Sequence, residues 1–503
     1  MTRADSGAAR VPMGEGFPTL GDRERLTVVL GAMVVLLLAA LDQSIVAPAL
    51  PTIGAALGDV EYLSWVVSAY FLTSTAVTPL YGKLADLKGR KATLHTAIAV
   101  FTVGSALCAL APNMTMLVIG RAVQGLGGGG LISLVQTVIG DVVPPRERGR
   151  YMGWISLVWA TASVSGPVVG GVFAQHLHWS LIFWVNLPLA VVAMVMIARA
   201  MRHLPDVSRP QRLDLVGAVL IVGGTVALML ALTWGGSRMP WTSPQVLGLF
   251  AVAVAAFAAF GRHVARVEEA LIPLTVLRNP VVAVTTSAMF FVMGSWLSLS
   301  VYVPIWLAQV HGFGAANAGF GLIGLTLGTV VGANAGGRML ARVTHYKRVA
   351  LGGAALGVVA NAGLALGAAT LPFWAAEIFL VAAGLGTGAL FPLSTVVVQN
   401  AVDRRDLGVA TATHAFFRAL GTVVIVAILG AIFLASGLGD AIEGGMGHAG
   451  LSPEEVTLAG STFRRIFAMT TLGQAIGLVI FSFLEERPLI GRGAPARGSG
   501  EAS

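Results

Sequence analysis

Four ionisable residues stand inside stretches otherwise apolar enough to cross a bilayer: Asp42, Arg121, Glu377 and Arg418. A charge at membrane depth costs about 2.5 to 3.5 kcal/mol on insertion scales, so side chains kept there are functional candidates. With a rise of about 1.5 Å per residue, Asp42 lies roughly 25 Å above the start of the first helix, and Arg121 roughly 9 Å below the outer end of the fourth. An aspartate and an arginine at one depth can pair and lower each other's burial cost, and protonating the aspartate breaks the pair. That is the chemistry of a proton-operated switch; the plainer reading is a permanent strut between two helices. Glu377 sits near the outer end of the twelfth helix, where it either faces a solute path or reaches the headgroups. Arg418 sits nearer mid-depth on the thirteenth, where it can bind an anionic group, bond backbone carbonyls or snorkel inward.

Two further motifs carry mechanical rather than acid–base chemistry. The segment Gly82-Lys83-Leu84-Ala85-Asp86-Leu87-Lys88-Gly89-Arg90-Lys91 reads as a loop between helices two and three, with Gly82 and Gly89 permitting tight turns. In it Asp86 stands among four cations, free to pair locally or to sit at a helix N-terminus, which suggests a latch; a basic loop that merely sets topology is the plainer reading. In the fifth helix Gly166-Pro167-Val168-Val169-Gly170-Gly171 removes a backbone donor and offers small surfaces, so the helix is expected to bend or slide there.

These residues must be positioned by membrane helices. Over 503 residues the chain is 56% hydrophobic and only 11% charged, which excludes a soluble domain and a disordered chain, and its single cysteine, Cys108, excludes a disulfide scaffold. A spanning helix needs about 20 apolar residues. Fourteen such windows are found, at 25–49, 61–81, 92–110, 115–140, 150–174, 180–200, 213–234, 246–267, 281–309, 317–337, 348–369, 373–399, 407–435 and 465–484. With the N-terminus inside, 27 of the 32 Lys and Arg fall in alternate, inside-facing segments, as the positive-inside rule requires. The net charge of +8 is therefore spread by topology and does not form a nucleic-acid patch. Both termini are expected in the cytoplasm.

The chain also resembles itself. Shifted by 259 places, Gly125-Leu126-Gly127 meets Gly384-Leu385-Gly386 and Gly149 meets Gly408; shifted by 255, Gly82 to Asp86 meets Gly337 to Ala341. Helices one to six thus correspond to nine to fourteen, with seven and eight inserted, and internal symmetry of this kind marks transporters whose solute path runs between the halves. The copies differ in charge: Asp42, Arg121 and Asp86 have Leu297, Leu380 and Ala341 as counterparts, so ion coupling is expected in the first half.

Other patterns fail on context. Gly125 to Gly130 spells GxGxxG, but no strand precedes it and it lies in an apolar helix. Neither a P-loop nor an HExxH pair occurs, so ATP-driven pumping, zinc proteolysis and other enzyme chemistry gain no support. His176 and His178 lack further ligands for a metal. No cofactor is implied; an ion gradient is the expected energy source.

The motifs together are similar to the major facilitator superfamily. Gly82 to Lys91 resembles its loop between helices two and three, Arg121 with Gln124-Gly125 its fourth-helix motif, and Gly166 to Gly171 the fifth-helix motif of its antiporters. Leu41-Asp42-Gln43-Ser44-Ile45-Val46 with Ala49-Leu50-Pro51, and Trp179 with Phe183-Trp184-Val185-Asn186-Leu187-Pro188, resemble signatures of its fourteen-helix drug:proton antiporter branch. Ala162 and Ala47-Pro48 depart from the usual pattern. The resemblance implies proton-driven export of amphipathic, often cationic small molecules by rocking of two six-helix bundles. On it, Asp42 and Arg121 couple protons, Gly82, Asp86, Gly89 and Arg90 gate the cytoplasmic side, and Gly166, Pro167, Gly170 and Gly171 form the antiporter hinge.

The expected fold is an all-α integral membrane protein of two pseudo-symmetric six-helix bundles. It comprises an N-terminal segment 1–24, a first bundle 25–200, a linker with two extra helices 201–280, a second bundle 281–484 with an exterior loop 436–462 in which a short helix begins at Ser452-Pro453-Glu454-Glu455, and a tail 485–503 that reads as disordered after Glu486. Aromatic side chains suited to line a cavity for flat organic cations are Trp65, Tyr70, Trp154, Trp159, Phe290, Trp296 and Tyr302, alongside Glu377 and Arg418. The expected partners are a small-molecule substrate, protons and lipid, with a periplasmic adaptor protein left open and a monomer as the working state. The excess of Arg over Lys, with abundant Gly and Ala, points to a GC-rich bacterial genome and hence to a bacterial cytoplasmic membrane. A dedicated exporter of one endogenous metabolite or lipid, and a non-transporting membrane receptor, are the alternatives.

Overall fold

In a bilayer every backbone N–H and C=O must find its partner within the protein, which favours long unbroken helices. The computed structural model describes residues 21–59, 62–202, 213–236, 238–267, 269–313, 320–343, 345–438 and 453–489. Among the described residues, β structure is confined to one isolated bridge between Gly235 and Met239. The first six long helices are α1 Asp22–Ile45, α2 Leu63–Lys88, α3 Arg90–Ala109, α4 Met114–Val142, α5 Pro145–His176 and α6 Asn186–Ala200. An inserted pair follows, α7 Leu215–Trp234 and α8 Pro244–Val264. The second set is α9 Pro280–His311, α10 Ile323–Arg342, α11 Tyr346–Gly367, α12 Phe373–Ala401, α13 Leu407–Ala435 and α14 Pro453–Ser482.

Local chemistry sets the ends of these helices. Asn113, Asp214, Ser243 and Asn279 each accept a backbone N–H in the first turn of α4, α7, α8 and α9. Pro145, Pro244 and Pro280 occupy first helical positions, where their missing N–H leaves no helical bond unmade. Gly312 closes α9 in the left-handed conformation, which a side chain would strain.

Among the described residues thirteen spans are long and apolar enough to cross a membrane, and α10 is the long helix outside that set. Its glycines explain how it is held. Gly324, Gly328, Gly332 and Gly336 form one stripe along α12, and a Cβ on Gly336 would come within 2.7 Å of the Ala389 Cα. Close packing of small residues, which gains dispersion contacts unavailable from lipid alone, takes the place of apolar side chains.

The repeated glycines occupy equivalent positions in the two halves. Gly125 abuts Tyr70 and Thr73 of α2, while Gly127 abuts Phe101 of α3. In the second half Gly384 abuts Leu325 and Thr329 of α10, and Gly386 abuts Gly353 of α11. The glycine-rich run of α4 thus serves helix packing.

Buried apolar residues divide unevenly along the bundle. At the end where Lys and Arg gather, here called the basic end, one core contains Val138 and Ile139 of α4 together with Leu340 of α10 and Val396 of α12, so it spans both halves. At the opposite end the cores are separate: Ile45, Val66, Leu117 and Phe183 belong to the first half alone, and Trp306, Leu364, Leu380 and Phe467 to the second. The inserted pair lies against the seam. Trp234 of α7 meets Trp65 of α2 edge-on at 6.3 Å, Gly236 approaches Leu434 of α13, and Ile221 and Phe260 share a core with Val409 and Phe416.

Three sequence expectations are corrected. The expected loop Gly82–Lys91 is mostly helix: α2 continues to Lys88, and Gly89 alone, at φ 87°, turns the chain into α3. Of the expected exterior loop 436–462, residues 439–452 lie outside the described set; a helix does begin at Pro453 as expected, but instead of a short loop helix it runs on without a break as the first turns of α14. The tail is docked as far as Leu489. The Tyr346 hydroxyl donates to the Glu485 carbonyl, Glu486 accepts from the Lys347 N–H and Asn400 donates to the Pro488 carbonyl, so polar contacts hold a segment that composition alone would leave loose. Residues 490–503 and the segment 1–20 lie outside the described set.

Candidate functional site

Asp42 and Arg121 are joined by an ion pair, Arg121 Nη1 to Asp42 Oδ2 at 2.8 Å, with both side chains essentially inaccessible. Two charges removed from water need more than each other, because mutual attraction alone does not offset desolvation. The surrounding residues supply the rest. Asp42 Oδ1 accepts from Gln124 Nε2 at 2.8 Å and from Asn186 Nδ2 at 2.9 Å. Arg121 donates to the Val66 carbonyl at 2.8 Å and to Gln124 Oε1 at 2.6 Å, and its guanidinium lies 4.4 Å from the centre of the Tyr70 ring. Ser105 Oγ takes further bonds from Gln124 and Asn186. Helices α1, α2, α3, α4 and α6 therefore meet in one polar knot inside the first half.

Ser105 was not singled out in the sequence, and Gln124 and Asn186 stood there only inside motifs, with no role assigned to either. Gln124 carried a signal, since it lies three residues after Arg121 and so on the same helix face. Ser105 had only its polarity to mark it, and Asn186 only its place in the motif from Phe183 to Pro188; Asn186 reaches Asp42 because α6 packs on α1, and Ser105 joins through Gln124 and Asn186 because α3 packs on α4 and α6.

At the basic end Asp86 reaches from the first half into the second. Its carboxylate accepts from the Gly408 N–H at 3.0 Å and the Val409 N–H at 2.7 Å, the unpaired amides that open α13. Arg90 pairs with the same carboxylate and with Asp141 Oδ2 at 2.8 Å, while Arg404 donates to the Asp141 carbonyl at 2.8 Å. Gln399 of α12 donates to the Gln136 carbonyl of α4 at 3.0 Å. Gly82 lies against Gly408 and Ala412, and Gly149 against Gly337, so both junctions close backbone to backbone. Gly89 serves by ending α2, which sets Asp86 one turn before Arg90.

The fifth-helix motif lies in a continuous helix. Pro167 is inside α5, Gly166 packs on Ser44 and Gly170 on the Ile45 carbonyl, while Gly171 faces open space. Ser44 Oγ donates to the Ala162 carbonyl at 2.8 Å, so this face of α5 grips α1 two residues beyond Asp42.

The aromatic candidates separate into two groups. Tyr70, beneath Arg121, and Tyr302, whose hydroxyl donates to the Val426 carbonyl at 3.3 Å, are buried within their own halves. Trp65, Trp154, Trp159, Phe290 and Trp296 are half-buried. Trp154 meets Tyr151 at 5.3 Å and Phe290 meets Phe291 at 5.2 Å. Trp296 donates to Thr329 Oγ1 at 3.1 Å and meets Phe391 edge-on at 6.0 Å. Glu377 lies at the far end, accepting the Gly324 N–H at 3.0 Å in the first turn of α10. Arg418 stands over the Phe391 ring at 5.6 Å, and one turn below it His414 bonds Thr286 and Ser394, each at 3.2 Å.

Comparison with known proteins places this geometry in context. The family model described as Major Facilitator Superfamily matches residues 32–426. An uncharacterized MFS-type transporter of Mycobacterium tuberculosis is 35% identical over 86% of this chain, and the chain spans 63% of that relative's length. Multidrug resistance protein 3 of Bacillus subtilis is 32% identical over 86% of each chain. Among solved structures, the human organic anion transporter MFSD10 superposes with a TM-score of 0.61 at 16% identity, covering 90% of this chain and 99% of that one, a likeness of fold.

Proposed function

The chain belongs to the major facilitator superfamily, and from that premise we propose that it is a proton-coupled exporter of amphipathic small molecules working by alternating access. Members of this family are transporters, not enzymes. The observation that carries the proposal is the buried Asp42–Arg121 pair, whose carboxylate is held by two further donors and whose counterparts in the second half are Leu297 and Leu380. A proton on Asp42 cancels the charge that Arg121 is bound to and converts one acceptor oxygen into a donor, so Gln124 and Asn186 must rearrange. Because α1, α3, α4 and α6 share that knot, a single protonation biases the packing of the whole first half.

The basic end is the cytoplasmic end on the positive-inside rule. With that end closed by Asp86, Arg90 and the glycine junctions, and with separate cores at the other end, the conformation corresponds to an outward-facing stage. Asp42 takes up a proton from outside, the bundle rocks, the proton leaves to the cytoplasm and substrate binds for export. Relatives named for multidrug resistance support drug-like substrates, and a bacterial cytoplasmic membrane is the proposed location.

The test is dye uptake into inside-out vesicles with an acid interior, comparing the native chain with Asp42→Asn. Gradient-dependent uptake that the variant lacks supports the proposal. Uptake that survives collapse of the gradient, or that the variant retains in full, overturns proton coupling at this site.

A further inference from the structure

Arg418 differs from Arg121 in two respects that bear on substrate: no acid is within ion-pair distance of it among the described residues, and it is partly exposed. It stands roughly 17 Å along α13 from the basic end, about two turns beyond the Gly82–Ala412 junction that closes that end. Its surroundings show which way it faces. The guanidinium lies over Phe391 of α12, Phe391 meets Trp296 of α9, and Trp296 is bonded to Thr329 of α10, so the group fronts an aromatic chain that links three helices of the second half. His414, the titratable neighbour on its own helix, has both ring nitrogens engaged by hydroxyls and supplies no negative charge. Negative groups elsewhere in the bundle are committed: Asp42 to Arg121, Gln124 and Asn186, and Asp86 to Arg90 and the α13 amides. Glu377 is at the opposite end on the first turn of α10.

We propose that Arg418, backed by Phe391 and Trp296, is an anion-recognition subsite, and that the substrate is a flat amphipathic molecule bearing a carboxylate or sulfonate rather than a permanent cation. A half-buried guanidinium without a carboxylate beside it gains most from a planar anion that accepts two parallel hydrogen bonds, and the adjoining rings offer faces and edges to an aromatic body. A cationic solute in the same place would meet an uncompensated like charge at low dielectric. Of the amphipathic, often cationic class drawn from the family resemblance, this subsite retains the amphipathic part and reverses the charge.

The inference deepens the export reading, and it is tested by binding so that the two can fail separately. Purified full-length protein in nanodiscs, without any gradient, is titrated with fluorescein as the anionic probe and ethidium as the cationic one. Fluorescein is expected to bind the native chain, and Arg418→Gln to weaken it about ten- to hundredfold, with Arg418→Lys recovering part of the loss. Ethidium binding is expected to be weaker than fluorescein binding and to tighten in Arg418→Gln. Phe391→Leu, which keeps the charge, is expected to weaken fluorescein by a smaller factor. Failure of the native chain to bind fluorescein at millimolar concentration, equal loss of both dyes in Arg418→Gln, or fluorescein binding unchanged in a variant with native thermal unfolding each overturns the subsite. Binding that follows this pattern in a protein showing no gradient-driven uptake keeps the subsite and overturns the export reading.

Discussion

Gly149 of α5 and Gly337 of α10 meet so closely that a Cβ on either would strike the other's carbonyl group. Gly82 of α2 makes the corresponding approach to Gly408 of α13. The 259- and 255-residue repeats thus produce two junctions related by the internal symmetry, each pairing a glycine from one half with a glycine from the other. Only one junction carries a charge lock, because Asp86 corresponds to Ala341.

The glycine junction predicts a conformational defect without a folding defect. In Gly337→Val the added side chain cannot be accommodated between two backbones at contact distance, so the closed basic end is disfavoured while α10 still packs on α12 through its other glycines. Spin labels across the basic end should show a longer distance, and transport should fall more than about tenfold with thermal unfolding near native. A native distance distribution would remove the junction from the closing mechanism.

Asp86→Asn should bias the same equilibrium by a different route. The amide keeps one acceptor oxygen for the α13 amides but loses the charge that binds Arg90, at about 1.5 to 3 kcal/mol for charge-assisted bonds. The fraction of molecules closed at the basic end should drop by about an order of magnitude, read by the same spin labels, and Asp86→Glu should restore part of it. Equal populations in Asp86→Asn and the native chain would assign closure to the glycines and to Gln399–Gln136 instead.

The buried pair gives a double-mutant prediction. Removing one partner leaves an uncompensated charge among inaccessible groups, at about 3 to 5 kcal/mol. Asp42→Asn and Arg121→Gln should each lower the unfolding temperature in detergent. The double variant should recover much of that loss while remaining inactive, a coupling that a cycle of the four proteins measures. Additive losses would mean that the two residues do not act as a pair.

A pH-dependent contribution is expected where α7 begins. Asp214 accepts from the Gly217 N–H at 2.8 Å, from the Leu271 N–H at 3.0 Å and from His263 Nε2 at 2.8 Å. Burial opposes its ionisation, but these bonds outweigh burial and hold the carboxyl below the usual carboxylate range. The unfolded chain then binds the proton more readily, so the stabilisation is complete above an ordinary aspartate pKa of about 3.9 and is lost as pH falls through the lower folded value. Asp214→Asn should lower the unfolding temperature by a few degrees at pH 7 and by less at pH 3. An equal deficit at both values would show that packing, and not ionisation, is what the residue contributes.

The sequence by itself determined the features that depend on one dimension. Helix windows, the alternation of Arg and Lys between them, the repeat and the cost of Asp42, Arg121 and Arg418 follow from hydropathy and charge, which act on each segment independently of its neighbours. Tertiary structure decided whatever depends on two segments meeting. That Gln124 and Asn186 complete the shell of Asp42, with Ser105 bonded behind them, follows from helix packing between residues up to 144 positions apart. The stretch before Gly89 looked like a loop because its charges suit water. It is helix because Asp86 and Arg90 find their partners on α13 and α4, so the charges that suggested solvent are neutralised inside the protein. Arg418 looked ambiguous because nothing local distinguishes a paired arginine from an unpaired one; only the fold shows that Arg121 has a carboxylate beside it and Arg418 has an aromatic ring.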